Sequence, residues 1–343
     1  MALEHSVLNQ EIITRLLKEK YDLIVTEVQK TELGSANCYR ISDGKNDYFL
    51  KEFQSKFLLE DLVREAQLLD HLAEKKIPVA QMIKTKTQEY AFEQEGHVIS
   101  LQEYVQGTCY GYNDFPKKLL SQTAVMLGKI HTALKGYPLP VGMDQEWLAT
   151  YDAETLCREY DELAKSVKPE DPHYAQLMED FRYKKTLAVR CMEYMKYYEG
   201  VTYGSTHGDY QGCQLICDTN GIKAVIDFSS ARKLPLIWEI MRSYVQSSND
   251  ARNEAVIDVD ALCEYVKAYL EEAMLTKTDL KSMPYVYLFQ LARSKYGYNE
   301  YLTTDSEDRE GLIRFAFWRT QMCREVEAKA KEIAEKLAEL ISE

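Results

Sequence analysis

Several things are missing from this sequence, and each absence removes a class of protein. None of its eight cysteines, at positions 38, 109, 157, 191, 213, 217, 263 and 323, forms a C-x-x-C pair. Cys213 and Cys217 have no histidine partners at zinc-site spacing, so nothing points to a structural zinc site. In a chain of this size, scattered cysteines read as reduced and mostly buried thiols, which implies a cytoplasmic location. No stretch approaches the ~20 apolar residues of a membrane span. The first twenty residues carry charges throughout and contain no signal-peptide apolar region. Positive charge is in deficit: 42 Lys and Arg against 55 Asp and Glu give a net charge of −13. That balance argues against nucleic-acid binding through basic patches. No internal repeat is present, and Gly34 stands alone without a G-x-G-x-x-G pattern. The expectation is a soluble protein with neither nucleic acid nor membrane as partner.

What is present divides into a β-rich and a helical part. At 343 residues the chain is long enough for two lobes. Val7 to Lys18 has a helical apolar period. Strands are expected at Leu23–Lys30, Asn37–Ile41 and Asp47–Phe53, separated by turn signals at Glu32-Leu33-Gly34-Ser35 and Asp43-Gly44-Lys45-Asn46. A helix follows at Leu58–Lys75, then strands at Gln81–Thr85, Gln88–Glu93 and His97–Val105. From about Phe115 the pattern is helical: Lys118–Leu134, Asp152–Val167, Tyr174–Tyr198, Trp238–Gln246, Val256–Glu272, Tyr285–Tyr296 and Glu310–Ile341. The last is read as a packed terminal helix, because three apolar positions near its end make too short a heptad record for a partner-binding coil. His131, on the apolar face of its helix beside Gly128, is read as a satisfied core histidine. Gly128 itself would allow close helix packing.

The stretch Thr206 to Phe228 concentrates the chemistry. It reads T-H-G-D-Y-Q-G-C-Q-L-I-C-D-T-N-G-I-K-A-V-I-D-F. A polar, glycine-flanked segment carries Asp209, and Gln214 follows five positions later. Leu215–Cys217 and Ala224–Ile226 are apolar runs around a turn at Asp218-Thr219-Asn220-Gly221, the pattern of a hairpin. Such a hairpin would gather Asp209, Gln214 and Asp227, whose oxygens can hold Mg²⁺ and orient a hydroxyl. An ordinary surface hairpin with scattered acids fits the same segment. Two upstream charges bear on the choice. Lys51 lies between Phe49 and Phe53 on one face of a strand, where it would need an anionic partner. Glu65 lies near the apolar face of the following helix and is the expected partner.

A strand lysine, a helix glutamate, H-G-D with an amide five residues on, and a strand-end I-D-F-S stand in the order of the protein-kinase phosphotransfer template. The glycine after His207 makes the chain resemble the aminoglycoside phosphotransferase and choline kinase family, over Tyr21 to about Ser243. Leu127-Gly128-Lys129-Ile130-His131, Ile77-Pro78-Val79 and Pro235-Leu236-Ile237-Trp238-Glu239 are similar to further family segments; in the last of these an acid caps the loops after the catalytic one. The resemblance implies an α+β, bilobal, protein-kinase-like fold. Residues 1–106 would form a nucleotide-binding lobe with an antiparallel sheet and one key helix. Residues 107–343 would form a larger, mostly helical lobe with the catalytic loop and substrate pocket.

It also implies roles. Lys51, positioned by Glu65, would hold the α- and β-phosphates of ATP or GTP. The backbone from Glu103 to Val105 would bond the base. The segment from Leu33 to Asn37, including the Ser35 hydroxyl, would close over the triphosphate. Asp209 would orient the attacking hydroxyl and accept its proton, and Gln214 and Asp227 would bind Mg²⁺. Three departures stand out. Gln214 replaces the family's asparagine, a methylene longer by roughly 1.5 Å, and octahedral Mg²⁺ tolerates misplacement poorly. Ser229 stands where protein kinases have glycine. The absent glycine-rich loop speaks against a protein kinase more than against catalysis.

The expected activity is therefore transfer of a γ-phosphate to a hydroxyl of a small molecule, by a monomer or weak homodimer. The acids Glu154, Glu159, Asp161 and Glu162 would suit a cationic amino sugar or choline-like acceptor, but a solvated helix face is the favoured reading of them. Homoserine-type metabolite kinases stay open. The competing readings are a pseudokinase that lost turnover through Gln214, and a helical scaffold whose dimer would vanish on truncation after Met322.

Overall fold

The structure is a computed structural model and describes residues 4–31, 36–304 and 308–342. Ser35 and the rest of the turn expected at residues 32–35 lie outside the described residues. In chain order the elements are α1 (Gln10–Tyr21), β1 (Glu27–Thr31), β2 (Asn37–Ser42), β3 (Asp47–Glu52), α2 (Leu59–Glu74), β4 (Ala91–Gln94), β5 (His97–Glu103), β6 (Thr108–Cys109), α3 (Leu120–Ala133), α4 (Asp144–Thr150), α5 (Ala153–Ser166) and α6 (Tyr174–Tyr194). There follow β7 (Tyr203–Thr206), β8 (Leu215–Asp218), β9 (Gly221–Val225), β10 (Arg232–Pro235), α7 (Leu236–Ser247), α8 (Asn249–Glu254), α9 (Val259–Leu270), α10 (Lys277–Arg293), α11 (Tyr298–Thr303) and α12 (Arg309–Ala338). The chain forms two compact units, Met1–Cys109 with Gln214–Ala231, and Tyr110–Cys213 with Arg232–Glu343.

The first unit is built on an antiparallel sheet in the order β1-β2-β3-β5-β4. Period-2 alternation assigns its two faces. Tyr39, Ile41, Leu50, Ile99 and Leu101 pack with Ile13, Leu16 and Leu17 of α1. Cys38, Phe53, Ala91 and Val98 pack with Leu62 of α2, and Phe49 joins them. The sheet is thus covered by a helix on each face. Helix α1 starts three residues later than its apolar period suggests because the Asn9 side chain accepts the Ile12 N–H at 2.9 Å. Its C-terminal cap then takes the Leu23 N–H back to the Leu17 carbonyl, which delays β1 to Glu27.

The strand expected at Gln81–Thr85 does not form as such. Met82 makes an isolated bridge to Gln102, and Thr85 turns back through its N–H to Glu89. The following strand is shortened to Ala91–Gln94. A second, smaller sheet, β6-β8-β9, holds the expected hairpin. Its turn is closed by Asp218 Oδ1, which accepts the N–H groups of Asn220 and Gly221 at 2.7 and 3.2 Å.

In the second unit, α3 crosses α9 closely at Gly128: a Cβ there would meet the Tyr269 carbonyl oxygen at 2.7 Å. Tyr160, Leu177, Phe181, Tyr298 and Ile313 form an apolar cluster from α5, α6, α11 and α12. Helix α10 begins eight residues before the expected Tyr285. A capping box between Thr276 and Asp279 nucleates it, and Pro284 is accommodated inside. The short helices α4, α8 and α11 carry too few periodic positions to be read from sequence. The terminal helix is packed as expected, with Ile333 and Leu337 buried. Among the described residues no helix is long and apolar enough to cross a membrane, and the eight cysteines are unpaired. The α+β architecture, an antiparallel N-terminal sheet with its key helix followed by a larger helical part, is the expected one.

Candidate active site

The Thr206–Phe228 stretch contributes to both units. In the second, β7 delivers His207-Gly208-Asp209 into a loop that is pinned from below. Glu239, fully buried on α7, accepts the backbone N–H groups of His207 and Gly208 at 3.0 and 2.5 Å. Burial pushes the Glu239 pKa up, but the hydrogen bond and charge of His131, the charge of His207 and the Gly208 N–H outweigh it and hold the carboxyl below its usual value. His131 Nε2 lies 2.8 Å from Glu239 Oε2, and its Nδ1 lies 2.8 Å from the Tyr269 hydroxyl. It is a core histidine with both ring nitrogens engaged. Gly208 has φ +84°, which favours glycine at that position.

Tyr210 anchors the loop on its other side, its hydroxyl donating to the Thr123 carbonyl at 2.9 Å. Gly212 N–H donates to Ser247 Oγ at 2.9 Å. Between these fixed points Asp209 is half-buried. The Arg242 guanidinium donates to its Oδ1, and the Gln211 amide lies 3.4 Å from Oδ2. Asp209 and Arg242 line a pocket of 960 Å³ together with Trp238 and Gln246, which recur with Arg242 at four-residue spacing on one face of α7. Sequence reasoning missed Arg242. The W-x-x-x-R-x-x-x-Q spacing was its signal.

In the first unit the hairpin brings Gln214 and Asp227 together: the Gln214 amide Nε2 is 3.4 Å from Asp227 Oδ2. Ser229 Oγ donates to Asp227 Oδ1 at 2.7 Å. Asp227 is exposed and holds a left-handed backbone, φ 65° and ψ 64°. A non-glycine residue there costs of order 1–3 kcal/mol, and such strain gathers at functional sites. The donor set, one exposed carboxylate with a neighbouring amide and hydroxyl, consists of the hard oxygens that Mg²⁺ prefers. Gln214 would need only a turn of its amide to present oxygen instead of nitrogen. No group of three or more His, Cys, Asp and Glu side chains suited to a metal occurs among the described residues, so amide and hydroxyl oxygens matter.

Lys51 and Glu65 lie on β3 and α2 as expected, yet no direct ion pair joins them. Glu65 is buried, which raises its pKa. The charge of Lys51 opposes that rise, the charge of Asp227 adds to it, and a hydrogen bond from the Phe228 N–H again lowers it. Lys51 sits opposite Cys38 and Ser100 in the sheet, 5.9 Å from the Phe49 ring. The Ser100 hydroxyl beside it is buried without a partner among the described residues. Glu103 and Val105 line a separate pocket of 860 Å³. The Glu103 N–H is spent on the Gln81 carbonyl at 3.0 Å, whereas no backbone carbonyl among the described residues accepts the Val105 N–H.

The acids on α5 have other work. Asp161 pairs with Lys185, Glu162 with Lys165, Glu159 with Lys295 and Glu154 with Arg158. None of the four lines the pocket that holds Asp209. They form a solvated, salt-bridged helix face.

Solved structures carry the same fold. An aminoglycoside phosphotransferase from Alicyclobacillus acidocaldarius superposes with a TM-score of 0.70 at 15% identity, covering 97% of this chain and 98% of that one. A spectinomycin phosphotransferase in complex with ADP and spectinomycin gives 0.66 at 14% identity, covering 96% and 100%. A microcompartment-associated aminopropanol kinase gives 0.65 at 14% identity, also covering 96% and 100%. Among curated proteins no match is found. The family model described as the phosphotransferase enzyme family matches residues 28–274. That span is well over half of the sequence, and the chain belongs to this family.

Proposed function

We propose that the protein is a Mg²⁺- and nucleotide-dependent kinase that phosphorylates a hydroxyl of a small molecule. The observation that carries this reading is Asp209, held by a Glu239-pinned loop at the wall of a 960 Å³ pocket. The chemistry divides between the two units. Lys51, with Glu65 behind it, would neutralise nucleotide phosphates, and the unspent Val105 N–H would meet the base. Asp227 and the Gln214 side-chain oxygen would hold Mg²⁺, which when bound offsets charge on the phosphates. A relative crystallised with ADP supports the nucleotide, and both ATP and GTP fit the reading.

Asp209 would accept a hydrogen bond from the acceptor hydroxyl and aim its oxygen at the γ-phosphorus. The new O–P bond forms as the bond to the β,γ-bridging oxygen breaks, its electron pair leaving with the diphosphate. The hydroxyl proton passes to the Asp209 carboxylate. Because the transition state is loose, alignment matters more than basicity. Arg242 keeps the carboxylate in one orientation.

The orientation of Gln214, with its NH₂ toward Asp227, favours a second reading, a nucleotide-binding module with little turnover. Slow nucleotide hydrolysis separates the two. Hydrolysis that requires Mg²⁺, disappears in Asp209→Ala and survives in Gln214→Asn supports the kinase. Nucleotide binding with neither hydrolysis nor transfer to any of a broad panel of alcohols would support the module.

A further inference from the structure

The pocket that holds Asp209 also holds three arginines: Arg242, Arg252 and Arg319. Their surroundings differ. Arg242 is neutralised by Asp209. Arg252 lies over the rings of Tyr112, Phe315 and Trp318 at 5.2, 5.3 and 4.5 Å, and its buried Nε has no hydrogen-bond partner. Arg319 lies 5.6 Å from the Phe315 ring. Among the described residues neither Arg252 nor Arg319 has a carboxylate partner. Ring faces attract a guanidinium but do not replace a counter-ion. Burial pushes both guanidinium pKa values down, and for Arg319 the nearby Arg242 charge adds to this. Arginine nonetheless stays protonated in proteins, so two desolvated positive charges face the cavity.

The remaining acids of the lining do not cancel them. Asp308 is exposed and accepts the Gly311 N–H at 3.2 Å at the start of α12. Asp114 is exposed as well. A charge kept partly out of water without an anion is costly unless a ligand supplies one. A planar guanidinium held against aromatic rings is well shaped to take a carboxylate or phosphate through two N–H groups.

The geometry points to an acceptor alcohol that itself carries an anionic group, a carboxylate or a phosphate, seated on Arg252 and Arg319 with its hydroxyl toward Asp209. This rests on the kinase reading for the fate of the hydroxyl, but not for binding. It reverses the cationic acceptor that the α5 acids suggested, since those acids are paired with lysines and an arginine outside the pocket.

The test is calorimetric titration of the full chain, without nucleotide, against alcohols matched in size and differing in charge. One set is glycerate, glycerol 3-phosphate, glycerol and 3-amino-1,2-propanediol. A second is gluconate, glucose and glucosamine; a third is 4-hydroxyphenylacetate, tyrosol and tyramine. The anionic members should bind roughly ten- to hundredfold tighter than their neutral or cationic counterparts, the range of a charge-assisted hydrogen bond. Glycerate against glycerol 3-phosphate separates the two kinds of anion. Arg252→Gln and Arg319→Gln should each lose that preference, and Arg319→Lys should keep part of it. Far-UV circular dichroism identifies a variant that does not fold, in which case the other variant and the wild-type charge series decide.

A preference for neutral or cationic members, binding by none of them, or anion binding untouched by both glutamine variants overturns the inference. A second assay with ATP or GTP and Mg²⁺ keeps the two readings apart. Arginine-dependent anion binding without phosphoryl transfer upholds the anionic site and counts against the kinase. Transfer to a cationic amino alcohol alone does the opposite.

Discussion

Arg242 on α7 donates from its guanidinium to Asp209 Oδ1, and the same side chain stands 5.8 Å from the Trp238 ring one helical turn earlier. The carboxylate proposed as catalytic base is therefore fixed by a helix and not left to a mobile loop. Asp209→Asn should reduce phosphoryl transfer by about 10²–10⁴-fold, the usual worth of a positioned general base. Arg242→Gln should lower kcat less, about tenfold, with a smaller change in nucleotide KM, because it disturbs orientation and not the base itself. Steady-state kinetics on both variants checks the order.

Glu239 is the pin under that loop, and its role is visible in acid. Its folded-state pKa lies below the usual value near 4.5. A depressed carboxyl contributes stability that is fully present above 4.5 and is lost as pH falls through the folded-state value. Glu239→Gln should therefore flatten the acid limb of stability below pH 4.5. It should also cost about 1.5–3 kcal/mol at neutral pH, through the loss of charged hydrogen bonds. Urea unfolding between pH 3 and 7 measures both effects.

Lys184 is fully buried on α6, and its ammonium lies 2.7 Å from the Leu291 carbonyl. Burial lowers its pKa from the ordinary 10.5. A depressed lysine destabilises the fold while it is charged, so stability should rise with pH between the folded-state value and 10.5. Lys184→Met should remove that rise. Melting temperatures from pH 7 to 10.5 for both proteins test this; parallel curves would rule it out.

Asp227 and Gln214 should differ in how they answer Mg²⁺. Asp227→Ala removes the only carboxylate of the proposed ligand pair, and the half-saturating Mg²⁺ concentration should rise at least about tenfold. Gln214→Asn keeps an amide oxygen and shortens the reach, so turnover should persist with a modest shift in metal requirement. Mg²⁺ titrations of nucleotide hydrolysis distinguish them.

Local chemistry made much of this legible. The Asp218–Gly221 turn, the α1 period and the alternation that puts Phe49, Lys51 and Phe53 on one face are nearest-neighbour effects, and they stand in the structure as read. The separation of Lys51 from Glu65 was not legible. Strand and helix patterns place both residues on facing surfaces, but whether the side chains meet depends on how α2 seats through Leu62 on Phe53 and Val98. The start of α10 was obscured by Pro284, because the capping box that nucleates the helix lies upstream of it.

The motif order Lys51, Glu65, Asp209, Gln214, Asp227 and its family were determined by the sequence itself, since phosphoryl-transfer chemistry constrains residue types and spacings within short segments. The character of the acceptor pocket was decided only in three dimensions. Arg242, Arg252 and Arg319 are spread over α7, α8 and α12, and no spacing rule links them. The α5 acids, adjacent in sequence and suggestive of a cationic ligand, are neutralised by partners up to 136 positions away, as in the Glu159–Lys295 pair. Charge balance is a sum over spatial neighbours, and folding selects those neighbours from the whole chain.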